Sequence, residues 1–238
     1  MQTGHYEYQD DSFVMEGYLV RPDDAGAALP CILLCHDWSG LTEPTMRTAE
    51  RFAALGYVVL ALDVYGKGRR GDVHGDNSAL MIPVMEDRAV LRRRLLAGAS
   101  AAAGIDGVDA ERMAVIGYCF GGTCALDLVR AGAQGVCAAI TFHGGLQPPS
   151  LGQQPPIAAS ILMLHGWSDP IVPPETVAAV ADELTAASAD WEMRMYGHAM
   201  HAFTFAEANS PEMGILYNED TASRSWSAAE AFLARHLK

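Results

Sequence analysis

Positive charge is scarce in this sequence. Its 16 Lys and Arg face 29 Asp and Glu across 238 residues, a net charge of −13. A nucleic acid or an anionic membrane surface is gripped by basic patches, so the composition argues against both partners. Long apolar runs are missing too. No stretch approaches the roughly 18 uninterrupted apolar residues of a membrane span. The Met1–Arg21 segment has neither a basic start nor a long apolar run, so it does not read as a signal peptide. The five cysteines form no disulfide-like framework and no CxxC-type metal spacing. Cys31 and Cys35 sit inside an apolar run and read as core. That usage suits a cytoplasmic, reducing location. His5, His36, His74, His143, His165 and His236 show no metal-ligand spacing, so no metal is expected. The basic, Gly-rich stretch from Tyr65 to Asp72 lacks the GxxxxGK[ST] of a phosphate loop, which argues against nucleotide binding. No cofactor is called for. There are no internal repeats.

What is present points to a globular enzyme-sized unit. Hydrophobic residues make up 50% of the chain and charged residues 19%, which argues against disorder. The length suits one α/β domain over residues 1–238. Tyr6 to Gln9 and Phe13 to Val20 alternate as a hairpin with Asp10-Asp11-Ser12 as its turn. Pro22 to Pro30 reads as a surface loop. Continuous apolar runs at Cys31–Cys35, Tyr57–Leu62, Met113–Ile116, Val136–Phe142 and Ile157–Leu164 read as buried parallel strands, with Trp191–Tyr196 as another. Helical segments separate them, from Pro44 to Leu55, Ser78 to Ala103 (broken at Pro83), Pro174 to Ala187 and Thr221 to His236. Arg88, Arg92, Arg93 and Arg94 read as a solvated helix face. Alternation of strands and helices predicts a doubly wound, mostly parallel sheet. Val64 to Asn77 reads as a mobile loop at the C-terminal edge of that sheet, where α/β sites lie. Leu146 to Pro156 reads as another loop, and Asn209 to Glu219 as irregular.

The chemistry centres on Gly117-Tyr118-Cys119-Phe120-Gly121-Gly122. An apolar strand precedes it and a helix follows, the setting of a nucleophile elbow. Cys119 sits at the helix start, where the dipole favours thiolate. Cys124 and Cys137 read as core. Downstream, Asp169 follows one strand, and His198 and His201 follow another. Nucleophile, acid, histidine is the chain order of α/β-hydrolase triads. The Phe120 N–H at the start of the helix supplies one oxyanion donor. The loop after the Cys31–Cys35 strand should supply the second, at Trp38.

At these residues the sequence resembles the dienelactone hydrolase family, α/β-hydrolases with a cysteine nucleophile. The resemblance runs from about Gly17 to Leu237 and rests on the Gly-Tyr-Cys-x-Gly-Gly run, the ordered Asp and His, and His36-Asp37-Trp38-Ser39-Gly40. It implies cleavage of a small ester or lactone through a thioester on Cys119, with no cofactor. Its His-x-Phe pattern selects His201 over His198 as the base, leaving His198 at the pocket edge. It places Asp37, one methylene shorter than the usual Glu, beside the resting thiol. It also expects a carboxylate-gripping arginine four residues after the histidine, where this chain has Phe205. An apolar acyl site lined by Trp38, Phe203 and Phe205 is therefore expected, unless Arg69 or Arg70 reaches in from the loop. A thioesterase or carboxylesterase of the same fold, and a non-catalytic binding module, are the alternatives. Either a monomer or a homodimer is compatible with the sequence.

Overall fold

A computed structural model describes residues 1–11, 13–23 and 28–237. Ser12 of the expected turn and residues 24–27 of the expected surface loop lie outside them. Eight strands build the main sheet: β1 (Gln2–Asp10), β2 (Phe13–Arg21), β3 (Leu29–Cys35), β4 (Val58–Leu62), β5 (Val108–Tyr118), β6 (Val136–Phe142), β7 (Ser160–Gly166) and β8 (Trp191–Tyr196). Their order is β1-β2-β4-β3-β5-β6-β7-β8. The strands from β4 to β8 in that order are parallel. The N-terminal hairpin joins antiparallel through β2 and β4. All five residues of β4 are buried, as an apolar strand covered on both faces must be.

Helices cover both faces, giving the doubly wound arrangement. One core joins α3 (Arg88–Ala103), α4 (Phe120–Arg130) and α5 (Pro174–Ala186) to the sheet through Leu91, Leu95, Leu126 and Leu184. The other joins α1 (Glu43–Ala53) and α6 (Glu219–Leu237) through Phe52, Trp226 and Phe232. With α2 (Ser78–Glu86), helices alternate with strands through most of the chain. All parallel strands therefore present their C-terminal ends to one edge, where the crossover loops gather.

Three local expectations need correction. The break after residue 78 falls at Asp87, not at Pro83, which α2 absorbs near its middle. The Asp87 side chain accepts from the Val90 N–H and starts α3 afresh. The arginines of α3 form a solvated face only in part, since Arg93 is exposed while Arg88 and Arg94 turn to partners. Arg88 is buried and forms a two-pronged pair with Asp127 at 2.7 Å on each arm. Arg93 pairs with Asp10, and Arg94 donates to the Val64 carbonyl and lies over the Phe13 ring. Finally, the segment after Ala208 is partly regular. A short antiparallel pair, β9 (Asn209–Ser210) with β10 (Ile215–Leu216), occupies it, and α6 begins at Glu219.

Candidate active site

The nucleophile turn is built by crowding. Cys119 has φ +54° and ψ −118°, a conformation that costs a non-glycine residue free energy and is held by its surroundings. A Cβ on Gly117 would lie 1.8 Å from the Gly121 carbonyl oxygen, and one on Gly121 would lie 2.3 Å from that of Cys35. No side chain fits at either place. The Cys119 N–H donates to the Phe142 carbonyl, and its own carbonyl accepts from Gly122 and Gly145. The thiol is thereby lifted above the end of β5, at the first turn of α4.

His201 meets it. Its Nε2 lies 3.2 Å from Cys119 Sγ, and its Nδ1 lies 2.8 Å from Asp169 Oδ2. The other oxygen of Asp169 accepts from the Ile171 and Val172 N–H groups at 2.9 and 3.2 Å. Both residues are nearly sealed from solvent, with 2% of Asp169 and 5% of His201 exposed. Burial alone would hold the His201 imidazole neutral. The adjacent sulfur and the Asp169 carboxylate outweigh burial and lift its pKa from 6.5 to about 10. Beside the sulfur and the carboxylate, the cationic form of the His201 ring is the one this site favours. His201 is fixed by the short β9–β10 pair. His201 N–H donates to the Gly214 carbonyl, and Leu216 N–H returns to the His201 carbonyl.

A cavity of about 970 Å³ opens on this group. Cys119, His201, Trp38, Phe120, Asp37 and Phe205 all line it. The first N–H of a helix has no intrahelical acceptor, which leaves that of Phe120 free to aim at a developing oxyanion. His198 is exposed and stays outside the cavity.

Two site residues behave otherwise than expected. Asp37 is turned away from the sulfur. Its Oδ1 accepts from the N–H and the hydroxyl of Ser39 at 2.8 and 2.5 Å. A short aspartate closes readily on the residue two places on, so the hydrogen-bond partner of the thiol is His201 instead. Phe203 is fully buried and does not line the cavity. The positive φ of Ala202 turns the chain between His201 and Phe203. The Phe203 ring goes into the core, edge-on to His143 and Tyr196. Arg69 and Arg70 also stay outside the cavity. Arg70 is drawn to the Asp63 and Glu16 carboxylates and to the Glu16 carbonyl, while Arg69 donates to the Tyr65 carbonyl. The loop bearing them is tethered rather than loose. Asp63 accepts from the N–H groups of Tyr65 and Gly66, Gly71 N–H donates to Ser39, and Tyr65 Oη donates to the Trp38 carbonyl.

Sequence reasoning passed over His143. It follows β6 at φ +39° and is 3% exposed. Its ring stands edge-on to His201 with centroids 5.1 Å apart, and its Nε2 lies 2.7 Å from Thr204 Oγ1. Burial, followed by the nearby His201 and His165, pushes its pKa well below 6.5. His165 was also missed. Its Nε2 lies 3.0 Å from the Val172 carbonyl and braces the turn that carries Asp169. The only signal for either was a histidine at the C-terminal end of a buried strand.

The sequence model of the dienelactone hydrolase family matches residues 15–237. The chain belongs to the dienelactone hydrolase family. An uncharacterized protein of Caenorhabditis elegans is 35% identical over 145 residues, covering 60% of this chain and 92% of its own. A protein of Aquifex aeolicus, provisionally named a carboxymethylenebutenolidase, is 25% identical across 98% of both chains. Among solved structures, a dienelactone hydrolase-like promiscuous phosphotriesterase from metagenomic libraries superposes with a TM-score of 0.93 at 32% identity, covering 100% of this chain and 99% of its own. The fold is thus the α/β-hydrolase fold of this family, and the protein is a carboxylic ester hydrolase acting on small molecules. Among the described residues, no helix is long and apolar enough to cross a membrane.

Proposed function

We propose that the protein hydrolyses small esters or lactones through a thioester on Cys119, with His201 and Asp169 completing the triad. The observation that carries this reading is the unbroken chain Asp169 Oδ2, His201 Nδ1, His201 Nε2, Cys119 Sγ, at 2.8 and 3.2 Å, with Cys119 and His201 on the wall of one cavity and Asp169 buried behind them. In the first half-reaction the sulfur attacks the carbonyl carbon, and the carbonyl electron pair moves onto oxygen. The Phe120 and Trp38 N–H groups receive that oxyanion. As the tetrahedral adduct collapses, His201 gives its proton to the departing alkoxide and leaves neutral. Water then enters and His201 takes its proton. Hydroxide adds to the thioester, and the thiolate departs to pair again with the imidazolium. Asp169 holds the ring in one tautomer and balances its charge throughout. A reducing compartment suits this chemistry, since the five cysteines are free thiols.

Short neutral esters and lactones are the favoured substrates. Phe205 stands on the cavity wall where a carboxylate grip was expected, and a phenyl ring offers no donors. A thioesterase shares the same steps and differs only in its leaving group. The likeness to a phosphotriesterase adds phosphotriesters to the substrates worth assaying. A panel of chromogenic esters, lactones, thioesters and phosphotriesters, with Cys119→Ala as control, tests the proposal. Turnover of neutral esters that vanishes in Cys119→Ala is expected. No turnover of any panel member, with the protein folded, overturns the proposal in favour of a binding module.

A further inference from the structure

The cavity is larger than the triad needs. Beyond Cys119 it continues between α1 and α6, past Leu34, Tyr118, Phe142 and Thr48, to Arg51 and Trp226. The wall there mixes Leu34, Tyr118 and Phe142 with the hydroxyls of Thr45, Thr48 and Ser223. Its far end carries a cation. Among the described residues Arg51 is the one arginine or lysine on the cavity wall. Its guanidinium lies over the Trp226 ring, 3.4 Å from the centroid. That ring is itself fixed, by an Nε1–H bond to Glu230 and by Phe52 at 4.5 Å. One turn earlier on the same helix, Arg47 pairs with Glu43. Arg51 has no ion pair among the described residues, in a chain with 29 acidic residues and 16 basic ones. Stacking holds the guanidinium in place and leaves its edge N–H donors unclaimed. Of the acidic side chains on the wall, Asp37 is engaged with Ser39 and Glu207 lies 3.2 Å from His74, which leaves Glu219 at the start of α6.

We propose that Arg51 and Trp226 form an outer subsite that grips a carboxylate at the remote end of an extended substrate, whose chain lies along the arm from Cys119. This rests on the ester-hydrolase reading and adds to its short neutral substrates a second class, long esters with a distant anionic group. Arg51 acts in specificity and touches no reacting atom. Short acids fall between the two ends: near the triad they meet Phe205, and they do not reach Arg51.

The test is a series of mono(4-nitrophenyl) esters of straight-chain dicarboxylic acids of increasing length, each with its remote carboxyl free or methyl-capped. The readout is the ratio of kcat/KM for free acid to capped ester at each length. The ratio is expected to start below one and to rise by tenfold or more once the chain spans the arm. Arg51→Gln is expected to remove the rise. A ratio that stays flat with length, or a rise that survives in Arg51→Gln, overturns the inference. Calorimetric titration with the plain long-chain dicarboxylate frees the test from turnover. Binding to the wild type that weakens about tenfold in Arg51→Gln, roughly 1.4 kcal/mol, supports the subsite, and equal binding or none overturns it. Turnover of capped esters alone, with no length effect, leaves the ester-hydrolase reading standing and removes only the subsite.

Discussion

Two buried acidic networks sit within a short span of this fold, and they are built from different parts. One runs from Asp127 to Arg88, Arg130 and Glu183, with both arms of the Arg88–Asp127 pair at 2.7 Å and Arg130 held by Glu183 at 2.7 and 2.8 Å. It ties α3, α4 and α5 together and reaches the backbone at Leu146 and Gln147. Its cations never release a proton near neutral pH. The other runs from Asp169 through His201 to Cys119. It has the same kind of acidic anchor, but its partners are an imidazole and a thiol. It also ends at a residue with φ +54° on a cavity wall, rather than in a well-formed helix. The contrast separates a clamp from a machine. A buried carboxylate with guanidinium partners fixes structure. The same carboxylate with an imidazole and a thiol is, in the mechanism we propose, what holds a proton at the cavity wall.

Breaking each network should therefore move different observables. Cys119→Ala should cut kcat on the order of 10⁴-fold or more while leaving the urea midpoint near the wild type, and His201→Ala should cut kcat as much but also lower the midpoint, because it strands the buried Asp169 carboxylate. His198→Ala should leave kcat nearly intact, because that ring is outside the cavity. Reversal of the two histidine results would reassign the base. Asp169→Asn should come next, at about 10⁴-fold in kcat, since an amide misdirects the ring tautomer and cannot balance its charge. In the clamp the effect should appear in stability instead. Asp127→Asn strands Arg88 in a buried site and should cost about 3–5 kcal/mol in urea unfolding, with kcat per folded molecule unchanged. Loss of activity without loss of stability in Asp127→Asn would dissolve the distinction.

Smaller effects sharpen it. His143→Gln removes the edge-on neighbour of His201 and replaces its contact to Thr204. A loss of about tenfold in kcat is expected, the scale of one hydrogen bond, with KM little changed. A change confined to KM would make His143 a substrate contact. The histidines also give the molecule opposing pH dependences. His201, raised from 6.5 to about 10, stabilises the fold fully below about 6.5, and that contribution fades as pH rises through about 10. His36, His143 and His165 are all lowered, chiefly by burial, and must stay neutral in the fold. In the unfolded chain they protonate below 6.5, so they withdraw stability as pH falls through that value. Thermal melts across pH should show a decline on the acid side that His143→Phe reduces, and one on the alkaline side that His201→Phe reduces.

The sheet was legible because its strands are short and apolar on both faces, and because glycines mark where one chain passes close to another. The nucleophile turn was legible for the same reason, since Gly117 and Gly121 admit no side chain. Chain order put Asp169 and then a histidine after Cys119, and the family's His-x-Phe pattern chose His201 over His198. What escaped was what depends on a partner distant in sequence. Nothing in the run around Arg88 announces Asp127, 39 residues on. The direction of Phe203 turned on the backbone of Ala202, and that of Asp37 on a hydroxyl two residues away. Arg51 reads as one more helix-surface arginine until α6 brings Trp226 beneath it. Pro83 misled because α2 carries the proline inside it and the break falls where the Asp87 side chain caps α3.

The central claim is that the acyl group passes through sulfur. Rapid acid quench of the enzyme turning over an activated neutral ester, followed by peptide mass mapping, tests it most directly. The account predicts the acyl mass on the peptide that contains Cys119, and neither adduct nor turnover in Cys119→Ala. Acyl mass on a different side chain, or undiminished turnover in Cys119→Ala, would contradict it.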